Sequence, residues 1–599
     1  MQSTRASVLR LLLLLVLACG LGYMVLAFDS PRVMRVAIME DGRSHVVSSQ
    51  PYDLHTGKES KSTLSVEIQH YLWQNGTFTF ELQDACITSL AVRPEGVFSP
   101  IPVTVGSEPL CDEVTLDLLP HLTQGLNEIV LDVHSERPQT AVYVSPKLFG
   151  AHISSTLACL CIFCALALIF FKLARLAGIN MQSDIVLVAG FICYALILHL
   201  RPNLFYSNDL PGHLEYIRYM VRGWVHPYDY VGWEYFHPPA YYLLASRFYG
   251  LFGASNVIGP LMAVRLFALL LYMIFCFYGV RTLHEHVESR GIAYTIGLLL
   301  IVFWPVAPVF ATRISNDIAV YAGWSITFYY LARWCRNGRL SDFQWMLALM
   351  GVTFLFKTSA LVMFGVAGVC SLYMLCSHRL QWHDLRRGKT LLAFAALILG
   401  ILGDTGRVIY VWLFGGPSSD YLSPGASEVH PLSYFLNFDL SDYVAHPVIT
   451  FEREPGFLNY FLKTMLYSEQ QMGGLTLIPI ILNILFLVFL LVTIIMACVS
   501  IRPERGRFSA LLPFIVGAAL PPLGPYVFML LVHYMFCQNF RFIVPMLIPL
   551  VVLYVQGITW ASKIPACRPL YWLGIISGAG IAVGGMIMNG WLYTHGQFG

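Results

Sequence analysis

Residues 204–250 read LFYSNDLPGHLEYIRYMVRGWVHPYDYVGWEYFHPPAYYLLASRFYG and directly follow an apolar run of helix length at 183–200. A helix that begins at Leu210 or Pro211 would place Asp209 at its N-cap. The Asp209 carboxylate would then be fixed at the membrane surface, just beyond the end of a span. The alternative is that Asp209 serves as a helix cap alone.

The same stretch carries further polar and aromatic side chains that favour a functional site over a plain connection. His213 and Glu215 fall in the first turns of the predicted helix. His237 precedes two prolines, which exclude a regular helix before them and place Tyr241 just beyond a rigid turn. Either histidine could orient a substrate or make a structural hydrogen bond. The segment suits the wall of a lipid-facing groove.

The composition places most of the chain in lipid. Of 599 residues, 57% are hydrophobic and 12% charged, and the formal net charge of +2 provides no field that would attract nucleic acid. A hydrocarbon core needs about 20 apolar residues per helix. About thirteen runs meet this requirement, near 8–27, 152–173, 183–200, 258–280, 291–311, 318–334, 343–357, 358–377, 390–414, 475–499, 508–532, 542–560 and 570–593.

Lysine and arginine alternate between loops in a way that predicts the orientation of the chain. With Arg5 and Arg10 inside, every second loop is basic, as expected for loops retained in the cytoplasm. The basic loops include Lys172 and Arg175, Arg333 and Arg336, and Lys563 and Arg568. The outer face then receives residues 28–151, 201–257, 312–317, 415–474 and 533–541.

Three regions follow from this pattern. We predict a membrane anchor at 1–29, an extracytoplasmic domain at 30–150 and a multi-span domain at 151–599 with long outer loops at 201–257 and 415–474. The first apolar run could instead be a cleaved signal peptide, but it continues as GLGYMVLAF beyond the length of a signal core. The carboxylates of 415–474 lack metal-ligand spacing, and we expect a partly ordered lid whose acidic residues are solvated.

The predicted outer domain alternates apolar and polar residues in short runs, including VMRVAIM, STLSVEIQ, TFTFEL, ITSLAVR and NEIVLDV. This period-2 pattern, broken by Gly, Pro and Asn, predicts a β-sandwich. About forty residues resemble paired strands of galactose-binding-like jelly rolls, which implies a carbohydrate-binding module; a structural lid is the alternative. Cys86 and Cys111 lie in this domain and could form a disulfide in an oxidising compartment.

The outer loop resembles the membrane-embedded GT-C glycosyltransferase superfamily, in the branch of protein O-mannosyltransferases and lipid A aminoarabinose transferases. That branch has an acidic motif followed by HxxY and then HPPxxY. Here the motifs stand as Asn208-Asp209, His213 with Tyr216, and His237-Pro238-Pro239 with Tyr241 and Tyr242. The branch usually has Glu after Asp, where this chain has Leu210, so Asp209 is left as the sole carboxylate of that pair.

Three further segments match the superfamily on the predicted outer face. RISND ends in Asp317 and includes Arg313, Lys357 stands between two apolar runs, and Arg541 opens a predicted span within QNFRFIVPMLIPL. The resemblance implies that Asp317 is a second acidic site and that Arg313, Lys357 and Arg541 contact the donor phosphate. Independently of it, these cations break the positive-inside trend, and an anionic lipid phosphate at the interface would be a suitable partner. Snorkelling or pairing with carboxylates is the alternative.

The resemblance implies an inverting glycosyltransferase that uses a polyprenyl-phosphate or polyprenyl-diphosphate sugar, with Asp209 as base and His213, Glu215, His237, Tyr241 and Asp317 orienting donor or acceptor. The acceptor would be a lipid, glycan or protein outside the cytoplasm. We expect no cofactor and predict no metal ligands, although a divalent metal stays open. The predicted location is a bacterial inner or plasma membrane with the site facing outward, or the lumenal face of the endoplasmic reticulum in a eukaryote.

Other functions compete with this one. A transporter or flippase of lipid-linked sugars would also have many spans, but transporters tend to place ionisable groups near mid-bilayer in two related halves, and no internal repeat occurs here. A polymer ligase would carry its Arg and His in a late outer loop. A non-enzymatic sugar sensor would act through the β domain.

Overall fold

The fold is described from a computed structural model. It covers residues 32–40, 43–47, 52–54, 61–70, 76–95, 97, 99–103, 110–123, 125–135, 140–146, 180–200, 209–223, 234–235, 237–253, 260–414, 432–449, 454–469, 477–500, 505–532 and 538–595. The chain divides into two compact units, Met1–Ile169 with Gly250–Ala263, and Phe170–Tyr249 with Val264–Gly599.

The described residues of the first unit form nine antiparallel strands joined in one sheet with the central order β2-β1-β4-β8-β5-β9-β3, while β6 and β7 also pair with β5. The strands are β1 Arg32–Glu40, β2 Arg43–Val47, β3 Tyr52–Leu54, β4 Lys61–His70, β5 Thr77–Pro94, β6 Ile101–Pro102, β7 Leu110–Asp117, β8 Gly125–Ser135 and β9 Thr140–Pro146.

Period-2 patterning explains how this sheet forms its core. Leu64 lies opposite Leu131 and Val66 opposite Ile129 across β4 and β8, and all four side chains are buried. The runs TFTFEL and ITSLAVR, which the sequence suggests are separate strands, form the single strand β5. A register shift divides it, and its first part pairs with β7 and β9 while the later part pairs with β8. The jelly-roll-like sandwich stays a prediction.

Cys86 on β5 lies directly opposite Cys111 on β7, and the two form a disulfide. This was one of the open possibilities in the sequence. The bridge closes a loop with a sequence separation of 25, and such closure restricts the unfolded chain more than the folded one.

The second unit is helical. Its helices, with part of α3 and α4 belonging to the first unit, are α1 Met181–Leu200, α2 Leu210–Gly223, α3 Ala240–Gly253, α4 Pro260–His286, α5 Ile292–Val302, α6 Ala307–Thr312, α7 Asp317–Asn337, α8 Leu340–Phe354, α9 Leu361–Cys376, α10 Trp382–Leu385, α11 Gly388–Phe414, α12 Leu432–Leu436, α13 Leu440–Ala445, α14 Phe457–Tyr467, α15 Leu477–Ser500, α16 Arg505–Ala519, α17 Leu523–Val532, α18 Leu547–Ala561 and α19 Arg568–His595.

Six helical segments among the described residues are long and apolar enough to cross a membrane. They are Met181–Leu198, Ala263–His286, Thr358–Cys376, Leu477–Val499, Val544–Ala561 and Pro565–Trp591. Shorter apolar helices occur at Ile292–Val302, Gly388–Gly403 and Phe508–Ala519. The chain is therefore a polytopic helical membrane protein, as its composition predicts.

The thirteen predicted spans compare unevenly with these helices. The runs at 8–27 and 152–173 lie outside the described residues. The run at 291–311 is divided into α5 and α6, and the run at 508–532 into α16 and α17, with a proline in each break. Proline removes a backbone donor and clashes with the preceding turn, which accounts for both interruptions. The total of thirteen stays a prediction.

Two glycines permit a close approach between helices. On α8 and α11, a Cβ at Gly400 would lie 2.2 Å from the carbonyl oxygen of Gly351, far inside any real contact. Small residues of this kind allow helix backbones to touch in a membrane, where apolar burial alone provides little drive for association.

A buried lysine organises the segment formed by α12, α13 and α14. Lys463 is fully buried, and its Nζ donates to Asp442 Oδ2 at 2.9 Å and to Glu454 Oε2 at 2.9 Å. Asn459 Nδ2 donates to the backbone oxygen of Asp439 at 2.8 Å and thereby ties α14 to the start of α13. The expectation that the acidic residues of 415–474 are solvated is wrong for Glu454, whose side chain is 4% exposed, because the ammonium group compensates its burial.

Lys463→Met should destabilise this segment by about 3–5 kcal/mol, because it leaves Glu454 buried without its cation. Limited proteolysis within 432–469 should become faster, and the thermal midpoint of the purified protein should fall. Lys563→Met, at an exposed lysine, is the matched control. Equal cleavage rates for both variants would contradict this role of Lys463.

Candidate active site

Four charged side chains from distant parts of the chain meet at one end of the helical unit. Asp209 directly precedes α2, whose first turn it opens by accepting a backbone hydrogen bond from His213 at 3.0 Å. Arg313 follows α6, Lys357 lies between α8 and a 3-10 turn at Thr358–Ala360, and Arg541 lies in a 3-10 turn at Phe540–Phe542. Each charge occupies a helix break or end, where the chain leaves the apolar packing.

Asp209 contacts both arginines. Arg541 Nη1 donates to Asp209 Oδ2 at 3.0 Å, and Arg313 Nη2 lies 3.6 Å from the same oxygen. Burial alone would raise the pKa of the Asp209 carboxyl, but the two guanidinium groups outweigh it and hold that pKa below its ordinary value. Asp209 is therefore a carboxylate at neutral pH.

Arg541 is fixed in place through its backbone. Asn539 Oδ1 accepts from the Arg541 amide at 2.9 Å, and the Tyr321 hydroxyl on α7 donates to the Arg541 carbonyl oxygen at 2.5 Å. The guanidinium is thus aimed at Asp209 by contacts that do not use its charge.

Lys357 and Asp317 form a second buried pair beside the arginines. Lys357 Nζ donates to Asp317 Oδ1 at 2.7 Å, with both side chains about one-tenth exposed or less. The Ser315 hydroxyl donates to the other carboxylate oxygen of Asp317 at 3.1 Å. Asp317 is thus the first residue of α7, and its carboxylate forms an ion pair with Lys357.

Glu469 completes the charge cluster, although it lies in the loop whose acidic residues are expected to be solvated. Its Oε1 accepts from Asn539 Nδ2 at 2.8 Å and lies 3.9 Å from Arg541 Nη1, while Oε2 lies 4.0 Å from Arg313 Nη2. The residue before it, Ser468, has φ 55° and ψ −133°. A residue other than glycine in that region costs about 1–3 kcal/mol, so the surrounding contacts hold Glu469 in a strained position.

A second carboxylate, Glu234, lies on the other side of Asp209 and bridges the two predicted histidines. His237 Nε2 is 2.9 Å from Glu234 Oε2, and His213 Nδ1 is 3.8 Å from the same atom. Burial lowers the pKa of His213 to about 4 and also raises the pKa of Glu234. His213 is therefore neutral at pH 7.

Aromatic side chains pack around this histidine pair. His213 Nδ1 is hydrogen-bonded to the Tyr242 hydroxyl at 2.9 Å, and the Tyr242 ring stacks on Tyr216 with centroids 3.9 Å apart. Tyr241 is fully buried next to it. By contrast, Glu215 is exposed; two positions after His213, it projects from a different face of α2.

The geometry also offers a possible cation site. One oxygen or nitrogen atom from each of Asp209, His213 and Glu234 lies within 4.8 Å of the others. These are suitable ligands for a divalent ion, and the neutral imidazole has a free pair to donate. The arginines on Asp209 oppose a second positive charge there.

Hydrogen bonds and ion pairs bring seven of the sequence-predicted residues into three groups: Asp209 with Arg313 and Arg541, Asp317 with Lys357, and His213 with His237 through Glu234. Tyr241 is buried and lies four residues after His237 in the sequence. Glu215 is exposed on α2. Sequence reasoning missed Glu234, Glu469 and Asn539. The one sequence signal for Glu234 is its position: it lies three residues before His237 and next to the HPP motif.

Comparison with known proteins supports the superfamily resemblance. Residues 236–402 match the protein family described as dolichyl-phosphate-mannose-protein mannosyltransferase. The matched segment contains His237, Asp317 and Lys357 but ends before Arg541 and begins after Asp209. No curated protein matches the chain.

Among solved structures, ArnT from Cupriavidus metallidurans in the apo state is 16% identical, with 67% of this chain and 77% of that chain covered and a TM-score of 0.30. The same protein bound to undecaprenyl phosphate is 12% identical, with 73% and 78% covered and a TM-score of 0.33. TM-scores this low define neither the fold nor the ligand of the present chain.

Proposed function

We propose that this chain, a membrane-embedded glycosyltransferase of the GT-C type by its family match, transfers a sugar with inversion from a polyprenyl-phosphate donor to an acceptor outside the cytoplasm. The observation that carries the proposal is the pair of arginines, Arg313 and Arg541, at the carboxylate of Asp209, with the buried Lys357–Asp317 pair beside them at helix ends. The family's description names a dolichyl-phosphate sugar as donor, which supports a polyprenyl phosphate here.

The arrangement separates the two tasks of the reaction. The guanidinium groups of Arg313 and Arg541 would hold the donor phosphate, with Lys357 adding positive charge. The Asp209 carboxylate would take the proton from the acceptor hydroxyl or amine. As the acceptor atom forms its bond to C1 of the sugar from the opposite face, the bond from C1 to the phosphate oxygen breaks, and its electron pair stays on the phosphate.

The arginines beside Asp209 explain how a weakly basic carboxylate could act as the general base. In the free site the arginines hold the pKa of Asp209 low. A bound phosphate would share these cations, so less positive charge would act on Asp209 and its basicity would rise. The base would then become effective when the donor is in place.

His213, His237 and Tyr241 are the proposed orienting groups, and Glu234 joins them because it fixes both imidazoles. Asp317 positions Lys357. The proposed side is the exterior or periplasmic face, supported by the alternation of basic loops and by the Cys86–Cys111 disulfide, which is typical of an oxidising compartment. The acceptor class is a lipid, glycan or protein, and the outer β domain is a candidate for guiding it.

The proposal is tested with the purified full chain in proteoliposomes, polyprenyl phosphate carrying radiolabelled mannose, and an extract of cell-envelope acceptors. Label should move from the lipid to an acceptor, with release of polyprenyl phosphate and with the opposite anomeric configuration in the product. Movement of intact labelled lipid between leaflets without release of polyprenyl phosphate would identify a flippase instead. Retained configuration would overturn the single-step mechanism.

A further inference from the structure

Among the described residues, the cations of the charge cluster already face carboxylates before any donor binds. Arg313, Lys357 and Arg541 face the carboxylates of Asp209, Asp317 and Glu469. A donor in which phosphate links sugar and lipid adds one further negative charge. If the phosphate is to contact the arginines, one of the carboxylates must withdraw, because like charges at this distance in a partly buried site repel strongly.

The three carboxylates are not equally held. Asp317 accepts a hydrogen bond from Lys357 at 2.7 Å, and Asp209 accepts one from Arg541 at 3.0 Å. Glu469 lies 3.9 Å and 4.0 Å from the guanidinium nitrogens, beyond hydrogen-bonding distance. Glu469 is therefore held by attraction to the two guanidinium charges and by the neutral Asn539 amide, without a hydrogen bond from a cation.

The surroundings of Glu469 allow its carboxylate to leave the arginines. Its side chain is 26% exposed, whereas that of Asp317 is 8% exposed, so solvent can take up the released carboxylate. Its hydrogen bond within the cluster comes from the neutral amide of Asn539. The backbone at Ser468 is in the left-handed half of φ space, and moving Glu469 away would allow that residue to relax.

Arg541 has spare donor capacity at the same place. Its Nε is buried and has no hydrogen-bond partner among the described residues. A guanidinium can donate to two phosphate oxygens at once through its fork of N–H groups. If the Glu469 carboxylate moves away, a phosphate oxygen can take its place. That oxygen can also accept a hydrogen bond from Arg541 Nε, which Glu469 does not contact.

We propose that Glu469 is a carboxylate placeholder for the donor phosphate: it neutralises Arg313 and Arg541 in the empty enzyme and is displaced when the phosphate of a polyprenyl-phosphate lipid binds. Glu469 acts through the arginines and is a positioning residue. The inference rests on the proposed function, since it needs the arginines to receive a phosphate. It assigns a role in donor affinity to a loop that otherwise contributes only packing.

Glu469→Gln tests it, because glutamine keeps the oxygen that accepts from Asn539 and removes the competing charge. The full chain in nanodiscs is titrated with polyprenyl phosphate lacking a sugar. We expect the Kd to fall by about three- to tenfold, the size of effect that one half-exposed charge exerts on a neighbouring pair. The KM for the donor should fall in parallel, more than kcat changes.

Two comparisons show whether the gain is specific. Binding of polyprenol, which has no phosphate, should be the same for Glu469→Gln and the unmodified protein, whereas a general loosening of the loop would alter both lipids. Glu288→Gln, at an exposed glutamate distant in sequence from the cluster, should leave the Kd unchanged. Glu469→Asp, which withdraws the carboxylate by one methylene, should give an intermediate gain and serves if the glutamine variant is poorly expressed.

The possible failures are distinguishable. If the unmodified chain does not bind polyprenyl phosphate and Arg541→Ala changes nothing, the proposed function is wrong. If the unmodified chain binds it, Arg541→Ala loses binding, and Glu469→Gln binds equally or more weakly, the placeholder inference alone is overturned.

Discussion

Asp209→Asn should lower the rate of sugar transfer by about 10²–10⁴-fold, the usual contribution of a positioned general base. Asparagine has the size of aspartate, and its side-chain oxygen can still accept from Arg541 Nη1, now 3.0 Å from Asp209 Oδ2. It cannot take the acceptor proton. The measurement is release of polyprenyl phosphate per enzyme at saturating donor.

Donor binding separates a chemical role of Asp209 from a structural one. Removing the negative charge frees the arginines, so the Kd for polyprenyl phosphate should stay the same or fall while transfer is lost. Asp384→Asn is the matched control, because Asp384 also pairs with an arginine, Arg387, at 2.8 Å and lies in the short helix α10. If Asp209→Asn keeps more than about one-tenth of the rate, another group is the base; lost transfer with lost donor binding would indicate a helix-capping role.

Arg541→Ala should lower kcat/KM for the donor by roughly 10²–10³-fold, because truncating one partner of a buried charged contact costs about 2–5 kcal/mol. The change removes the guanidinium that Asp209 and Glu469 share. The surviving Arg313 would then face both carboxylates without its neighbour. Transfer assays over a range of donor concentrations would separate KM from kcat.

Arg541→Lys should recover only part of this loss, since an ammonium group is a point charge and lacks the planar fork that matches phosphate. Arg568→Ala is the control, at an exposed arginine that begins the helix α19. If Arg541→Ala and Arg568→Ala gave the same kcat/KM, the donor phosphate would have to bind elsewhere.

Charges that oppose the general pattern made much of the site predictable. Arg313, Lys357 and Arg541 stand out because a cation beside a span on the predicted outer face needs a partner, and Asp209 stands out because it follows a predicted span and precedes a helix. Both arginines indeed contact Asp209, and Lys357 pairs with Asp317. The apolar runs predicted the helices for the same reason, since few other sequences can be buried in lipid.

The missed residues carry no such signal. Glu469 lies in a polar loop in which an acidic side chain is unremarkable, and its partners Arg313 and Arg541 are far away in sequence. Glu234 is masked by neighbouring aromatic residues and depends on tertiary folding to reach His213. The broken spans were accessible to reasoning, because Pro305 and the pair Pro521 and Pro522 mark the interruptions.

The contact between Asp209 and Arg541 joins residues 332 positions apart. At about 5–20 residues per second, a ribosome needs roughly 17–66 s after completing Asp209 before Arg541 is added. From the addition of Arg313 onward, the nascent chain contains Asp209 and Arg313 but still lacks Arg541, the arginine that donates a hydrogen bond to Asp209. Catalytic competence would thus appear late in biogenesis, and a chain released before Arg541 would leave an incomplete electrostatic centre for membrane quality control to recognise.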